Sequence, residues 1–312
     1  MSRATWTCFR AKTAHLRGQF EPAAVLAREC LQAALQAPEG NELAVALLYT
    51  SAGEALNYSG HTEEALAAQQ KALELRRGVT GDLNAMTAMY YNNIADAGAG
   101  SGNWELGISA GTHALDLLRL LPGADPSYTA ITALNLGECY FGAGKLERAE
   151  ASYRIALQKQ AVMDRVPGMH VMLLNDVALV QLRRGDHPKA RATYAESKAL
   201  ALSKLAPIDD DRRRAILGFA WTETLTQTAT AAMNLKVLQA LAVDLQQHPT
   251  AQRLDVGLIR MALAEVTLRV HPRSQETRAL MQDAKQRWRS QHQDALAAWV
   301  DTKLEGLRLP PP

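Results

Sequence analysis

Asn135-Leu136-Gly137-Glu138-Cys139-Tyr140-Phe141-Gly142-Ala143-Gly144-Lys145-Leu146-Glu147-Arg148-Ala149 decides how the rest of this chain is read. Apolar and small residues recur three and four apart on either side of Gly144, which is the periodicity of two helices separated by a turn. The pattern continues to Tyr153 and Ala156. Stepping outward, a glycine of the same kind stands at Gly18, Gly60, Gly102, Gly144 and Gly185, with spacings of 42, 42, 42 and 41 residues. About fourteen residues of helical spacing precede each one, and a second helical stretch follows it. Self-similarity at a fixed period of this length is the signature of a helical-hairpin array.

The second unit supplies Tyr49, Ala52, Gly53, Leu56, Gly60, Ala65 and Ala72 at matching offsets, and the fifth supplies Leu174, Val177, Ala178, Gly185, Ala190 and Tyr194. The third departs from the pattern with Gly107 and Gly111, and the first with Arg10 in place of an apolar residue. Small residues at helix crossings with large ones between repeats closely resemble the tetratricopeptide repeat. The period near 42 resembles the longer-repeat type of kinesin light chains and of many bacterial regulatory proteins. The resemblance implies an all-α, right-handed superhelical solenoid of antiparallel hairpins, with Ala149 and Ala190 buried where helices cross.

Turn-forming links fall at Pro38-Glu39-Gly40-Asn41, Gly78-Val79-Thr80-Gly81-Asp82, Leu121-Pro122-Gly123-Ala124-Asp125-Pro126 and Val166-Pro167-Gly168. Residues 1–205 therefore form five repeats. In 206–312 the glycine marker is lost while helical spacing persists, which predicts two divergent hairpins: 212–230 with 233–247, and 251–270 with 274–305. Pro249 and Pro272 sit at breaks, and Arg273, Arg278, Lys285, Arg287 and Arg289 make the last helix a polar cap. Trp288 and Trp299, eleven apart, are expected on one face of that helix, docked on the preceding hairpin, and Leu309-Pro310-Pro311-Pro312 reads as a tail.

Composition excludes several classes. Lys plus Arg is 34 against 32 for Asp plus Glu, so no net field draws in nucleic acid or an anionic membrane. No run approaches the length of a membrane span. Cys8, Cys30 and Cys139 are odd in number with no C-x-x-C pair, which suggests neither disulfides nor zinc and fits a reduced, cytoplasmic setting. Cys139 is expected in the core. Gly98-Ala99-Gly100-Ser101-Gly102 lacks the Lys-Ser/Thr ending of a phosphate loop and coincides with a hairpin turn. The eight histidines contain no metal-binding pair, so no cofactor, metal or catalytic set is expected and the chain reads as a non-enzyme. Arg212-Arg213-Arg214 follows Asp209-Asp210-Asp211, as at a helix start whose carboxylates face the positive dipole end.

In solenoids of this kind the first helix of each hairpin lines the concave face. Subtracting 42 places Glu54, Asp96 and Glu138 in one acidic column, with Lys12 at the same offset in the first repeat. Beside it run Leu47, Met89, Ile131 and Met172; Thr50, Asn92, Leu134 and Asn175; and Asn57, Ala99 and Phe141. The expected groove binds a protein or peptide segment, basic and extended. Arrays that grip a terminal carboxylate use Lys and Asn, which this column disfavours. Three roles are distinguished: a non-catalytic scaffold or regulatory module; a peptide sensor that changes superhelix pitch on binding; and the detached sensor region of a bacterial kinase or transcription regulator.

Overall fold

The computed structural model describes residues 3–37, 40–163, 167–247, 253–272 and 274–307. Among them there is no strand, and fifteen α-helices follow one another. These are α1 (Arg3–Leu16), α2 (Phe20–Leu35), α3 (Glu42–Tyr58), α4 (Thr62–Thr80), α5 (Ala85–Ser101), α6 (Trp104–Arg119), α7 (Pro126–Gly142), α8 (Leu146–Met163), α9 (Pro167–Arg183) and α10 (His187–Lys204). They continue as α11 (Asp210–Thr226), α12 (Ala231–Gln247), α13 (Arg253–Val270), α14 (Glu276–Arg289) and α15 (Asp294–Glu305), with a short 3-10 turn at Thr228–Thr230. The helices gather into two compact units, 1–143 and 144–312. That division falls between α7 and α8, whereas the glycine grammar lapses only after residue 205.

The marker glycines are turns for a conformational reason. Gly18, Gly60, Gly102, Gly144 and Gly185 have φ of 71°, 84°, 73°, 73° and 79°, the left-handed region in which a Cβ clashes with its own backbone. Gly81 and Gly123 do the same in the links between hairpins, with φ of 70° and 98°. Gly78, Val79 and Thr80 are still helical, so the second link is shorter than its turn-rich composition implies. Of the other link and tail residues, Pro38, Glu39, Val166, Pro249, Arg273 and Leu309-Pro310-Pro311-Pro312 lie outside the described residues.

The repeat register is visible as burial. Ala23, Ala65, Ala149 and Ala190 stand at one offset and are each 0% exposed. The member at 107 is a glycine because a Cβ there would overlap the Cys139 sulfur of α7, and a Cβ on Gly98 would come within 3.0 Å of the Gly107 backbone. Gly107 thus lets α5, α6 and α7 approach more closely than alanine allows. Arg10, the other departure, is exposed. Ala190 packs α10 against α9, so Ala190→Leu is expected to cost roughly 1–3 kcal/mol through overpacking. Thermal melting checks this, and an unchanged midpoint would contradict the register.

Within the unit 144–312, α11 starts as expected. Asp209 caps it by accepting from the Asp211 and Arg212 amides at 3.0 and 3.4 Å. Arg213 pairs with Asp244 and Asp210 at 2.6 and 2.9 Å, and Arg214 pairs with Asp176 at 2.8 Å. Two of the three arginines are therefore buried internal partners.

The expected helix 274–305 is broken. Ser290-Gln291-His292-Gln293 offers no apolar residue to continue a buried stripe, and His292 takes φ of 58° while the Gln293 amide donates back to the Trp288 carbonyl at 2.8 Å. Trp288 and Trp299 consequently lie on different helices and meet by the fold-back of α15 on α14, with ring centroids 6.4 Å apart. Trp299 also reaches Trp221 of α11 at 5.8 Å, which is the docking on an earlier hairpin that the sequence implied.

A second correction concerns the cysteines. Cys8 of α1 and Cys30 of α2 are joined as a disulfide, with Cα atoms 5.2 Å apart. They occupy the facing positions of one hairpin that Asn175 and Ser197 occupy 167 residues later, where Ser197 Oγ donates to Asn175 Oδ1 at 2.7 Å. Cys139 is buried in α7, and burial pushes its thiol pKa up.

Candidate functional site

The first helices of the hairpins in the unit 1–143 share a cavity of about 410 Å³. Lys12 of α1, Glu54, Ala55 and Tyr58 of α3, Met89, Asn92, Asn93 and Asp96 of α5, and Ile131, Leu134 and Asn135 of α7 line it. Every second helix contributes, which follows from the hairpin repeat: the 42-residue step returns equivalent positions to the same face. The volume lies within the range of sites that hold a small molecule or a long side chain.

Its polar side is graded. Lys12 Nζ pairs with Glu54 at 3.1 Å, so that acid already carries a counter-charge. Asp96 accepts from Asn57 Nδ2 at 2.9 Å, and no cation pairs with it among the described residues. Burial, and then the neighbouring Glu54, push the Asp96 carboxyl up to about 6, against the lowering effect of the Asn57 amide. The Tyr58 hydroxyl is pushed up to about 12, first by Asp96 and then by burial, Glu54 and Glu138. These acids therefore act on a common region, in which negative charge is in excess. Met89, Ile131 and Leu134 supply an apolar wall beside it.

Glu54, Asp96, Asn92, Met89 and Ile131 thus come together as the sequence spacing implied. Glu138 acts on Tyr58 without lining the cavity, and Asn57 serves by holding Asp96. Leu47 is 54% exposed outside the cavity. Met172 belongs to the unit 144–312 and is half-buried there.

The amide row is corrected in part. Asn92 is 3% exposed and accepts from Asn135 Nδ2 at 3.1 Å, so it is a packed residue that only borders the cavity. Asn175 is 1% exposed, donates to the Asp211 carbonyl at 2.9 Å and accepts from Ser197, so it is internal to its own unit. The reason is geometric. Asn175 sits where the first helix of its hairpin faces the second, as the Asn175–Ser197 and Cys8–Cys30 pairs show, whereas Asn92 is held by Asn135 of the next first helix and stays at the cavity wall.

Sequence reasoning missed Ala55, Tyr58, Asn93 and Asn135. Asn93 had a signal, since Ser51, Asn93, Asn135 and Asp176 form a polar row at the repeat spacing. Tyr58 had none, because glycines occupy 100 and 142.

With this geometry in hand, the comparisons agree on the class. Residues 85–159 match the family described as tetratricopeptide repeat. No curated protein matches the sequence. Among solved structures, the apo form of RapI superposes with a TM-score of 0.66 at 14% identity, covering 98% of this chain and 100% of its own. The apo form of the quorum sensor NprR from B. thuringiensis gives 0.66 at 18% identity, covering 91% of this chain and 76% of its own. A Rap protein complexed with competence and sporulation factor gives 0.59 at 12% identity, covering 98% and 86%. The chain is an all-α array of tetratricopeptide-like hairpins, and these likenesses establish its fold. Among the described residues no helix is long and apolar enough to cross a membrane.

Proposed function

We propose that this chain is a non-catalytic binding module whose cavity in the unit 1–143 captures a basic, extended segment of a protein or peptide partner. One observation carries the reading: among the described residues Asp96 is a carboxylate without a pairing cation, set among Glu54, Glu138 and Tyr58 and beside the apolar wall of Met89, Ile131 and Leu134. A lysine or arginine entering there meets charge for its head and apolar surface for its stem, as such side chains require. Helices packed on the order of 10 Å apart and a chain advancing roughly 3.3 Å per residue call for a cation about every third to sixth residue of the partner.

Lys12 bears on affinity because it occupies one acid already. A partner cation that reaches Glu54 must displace it, so Lys12→Met is expected to tighten binding of a basic segment by about threefold to tenfold, mainly by vacating Glu54. Fluorescence anisotropy with a labelled nonapeptide bearing Lys at every third position measures this. Equal or weaker binding by the Lys12→Met chain would count against Glu54 as a contact.

The fold likeness to NprR and to a Rap protein in complex with a factor favours a second reading, in which capture changes the conformation of the array. Small-angle scattering distinguishes the two: a sensor changes its radius of gyration on binding and a rigid scaffold keeps it.

A further inference from the structure

The unit 144–312 has a cavity of its own, about 350 Å³ in volume, lined by His187, Leu225, Glu265, Leu268, Arg269, Pro272 and Lys303. Its charge is opposite in character to that of the first cavity. We propose that it is a binding site for a small anion, a carboxylate or phosphoryl group on an apolar body, with Arg269 and Lys303 gripping the charge and His187 completing the set.

Glu265 does not cancel this preference, because its two oxygens are already engaged. Oε1 pairs with Lys303 Nζ at 2.6 Å and Oε2 accepts from Trp221 Nε1 at 2.8 Å. It is 7% exposed and fixed, so it orients Lys303 at the cavity wall. Arg269, in the last turn of α13, makes no hydrogen bond or ion pair with the described residues. With His187 neutral, the lining keeps one net positive charge, and Leu225, Leu268 and Pro272 leave apolar surface for the rest of a ligand.

His187, the first residue of α10, reports that surplus. Burial, then Lys303 of α15, and further Arg269 of α13, hold its imidazole below the usual range, against the raising effect of Glu265 and of Asp186. Asp186 is itself paired with Lys189 at 2.8 Å. A bound anion adds the missing negative charge and must raise the His187 pKa, by linkage.

The test follows the His187 ring signals by NMR in the full chain at low salt, titrated separately with inorganic phosphate and with propionate. At least one anion is expected to shift those signals saturably and to raise the apparent His187 pKa. Tighter binding of phosphate identifies a phosphoryl ligand and tighter binding of propionate a carboxylate. Arg269→Gln, at an exposed position without bonds to the described residues, is expected to keep the melting temperature and weaken the anion by about tenfold. Unsaturable or absent shifts with both anions, or unchanged affinity in the Arg269→Gln chain, would overturn the assignment.

Discussion

Replacing Glu54, Asp96 and Glu138 together by Gln, Asn and Gln is expected to slow association with a basic segment by roughly tenfold to a hundredfold at low salt. The substitutions keep shape and remove only charge. The amide introduced by Asp96→Asn retains an oxygen to accept from Asn57, whose bond to Asp96 is 2.9 Å long, so the fold of α3 and α5 should persist. The effect belongs mainly to the association rate, because carboxylates around a partly open cavity steer an approaching cation. At physiological ionic strength the Debye length is about 8 Å, so added salt should slow the unmodified chain toward the rate of the triple variant. Burial against Met89, Ile131 and Leu134 supplies the part of the affinity that salt leaves in place. Stopped-flow measurements across a salt series check this, and identical rates and salt slopes for the two chains would reduce the acidic column to a solvated helix face.

Binding is also expected to weaken by about tenfold between pH 7 and pH 5. With the Asp96 carboxyl pushed up to about 6, the group is mostly neutral at the lower pH and mostly ionised at the higher, and since a cation selects the ionised form, whose fraction falls about tenfold per pH unit below the pKa, the apparent affinity falls with it. Stability of the unliganded chain runs the other way. A carboxyl whose folded value lies above its unfolded 3.8 favours the neutral form, so its contribution is complete below 3.8 and is lost as pH rises through about 6. Asp211, also pushed up to about 6 by burial, adds to the melting profile in the same sense but lies in the other unit. The Asp96→Asn chain separates them: its binding should lose the pH dependence while part of the melting dependence remains. Should the unmodified chain bind equally at both pH values, Asp96 makes no contact with the cation.

Much of this was legible because a repeat makes sequence subtraction equivalent to geometry. Glu54, Asp96, Met89 and Ile131 meet in one cavity since their spacing by 42 returns each to the same face of successive first helices. The same subtraction misplaced Asn175, and it gave no sign that Asn92 at the cavity wall is held by Asn135. Each residue turns a helix by about 100°, so neighbouring rows can face a groove or the partner helix of the hairpin, and spacing alone gives the row without its direction. Direction came from contacts such as Asn175 with Ser197. Applied to that pair, subtraction leads back to Cys8 and Cys30, so the disulfide was latent in the register while cysteine counting argued against it. The break at Ser290-Gln291-His292-Gln293 carried no glycine or proline to mark it, only four polar residues in a row, and across it Trp299 packs on Trp221 and Trp288. Lys12 was visible at the offset of Glu54, but its ion pair with that acid follows from how α1 packs beside α3.

The most direct test is methyl NMR of Met89 and Ile131, whose side chains line the cavity beside Asp96. Titration with a nonapeptide bearing Lys at every third position is expected to shift both methyl signals saturably, with about tenfold more peptide needed in the Asp96→Asn chain and no response to a nonapeptide bearing Glu at the same positions. Methyl signals that stay fixed with the basic peptide, or move equally with the acidic one, would contradict capture of a basic segment in this cavity.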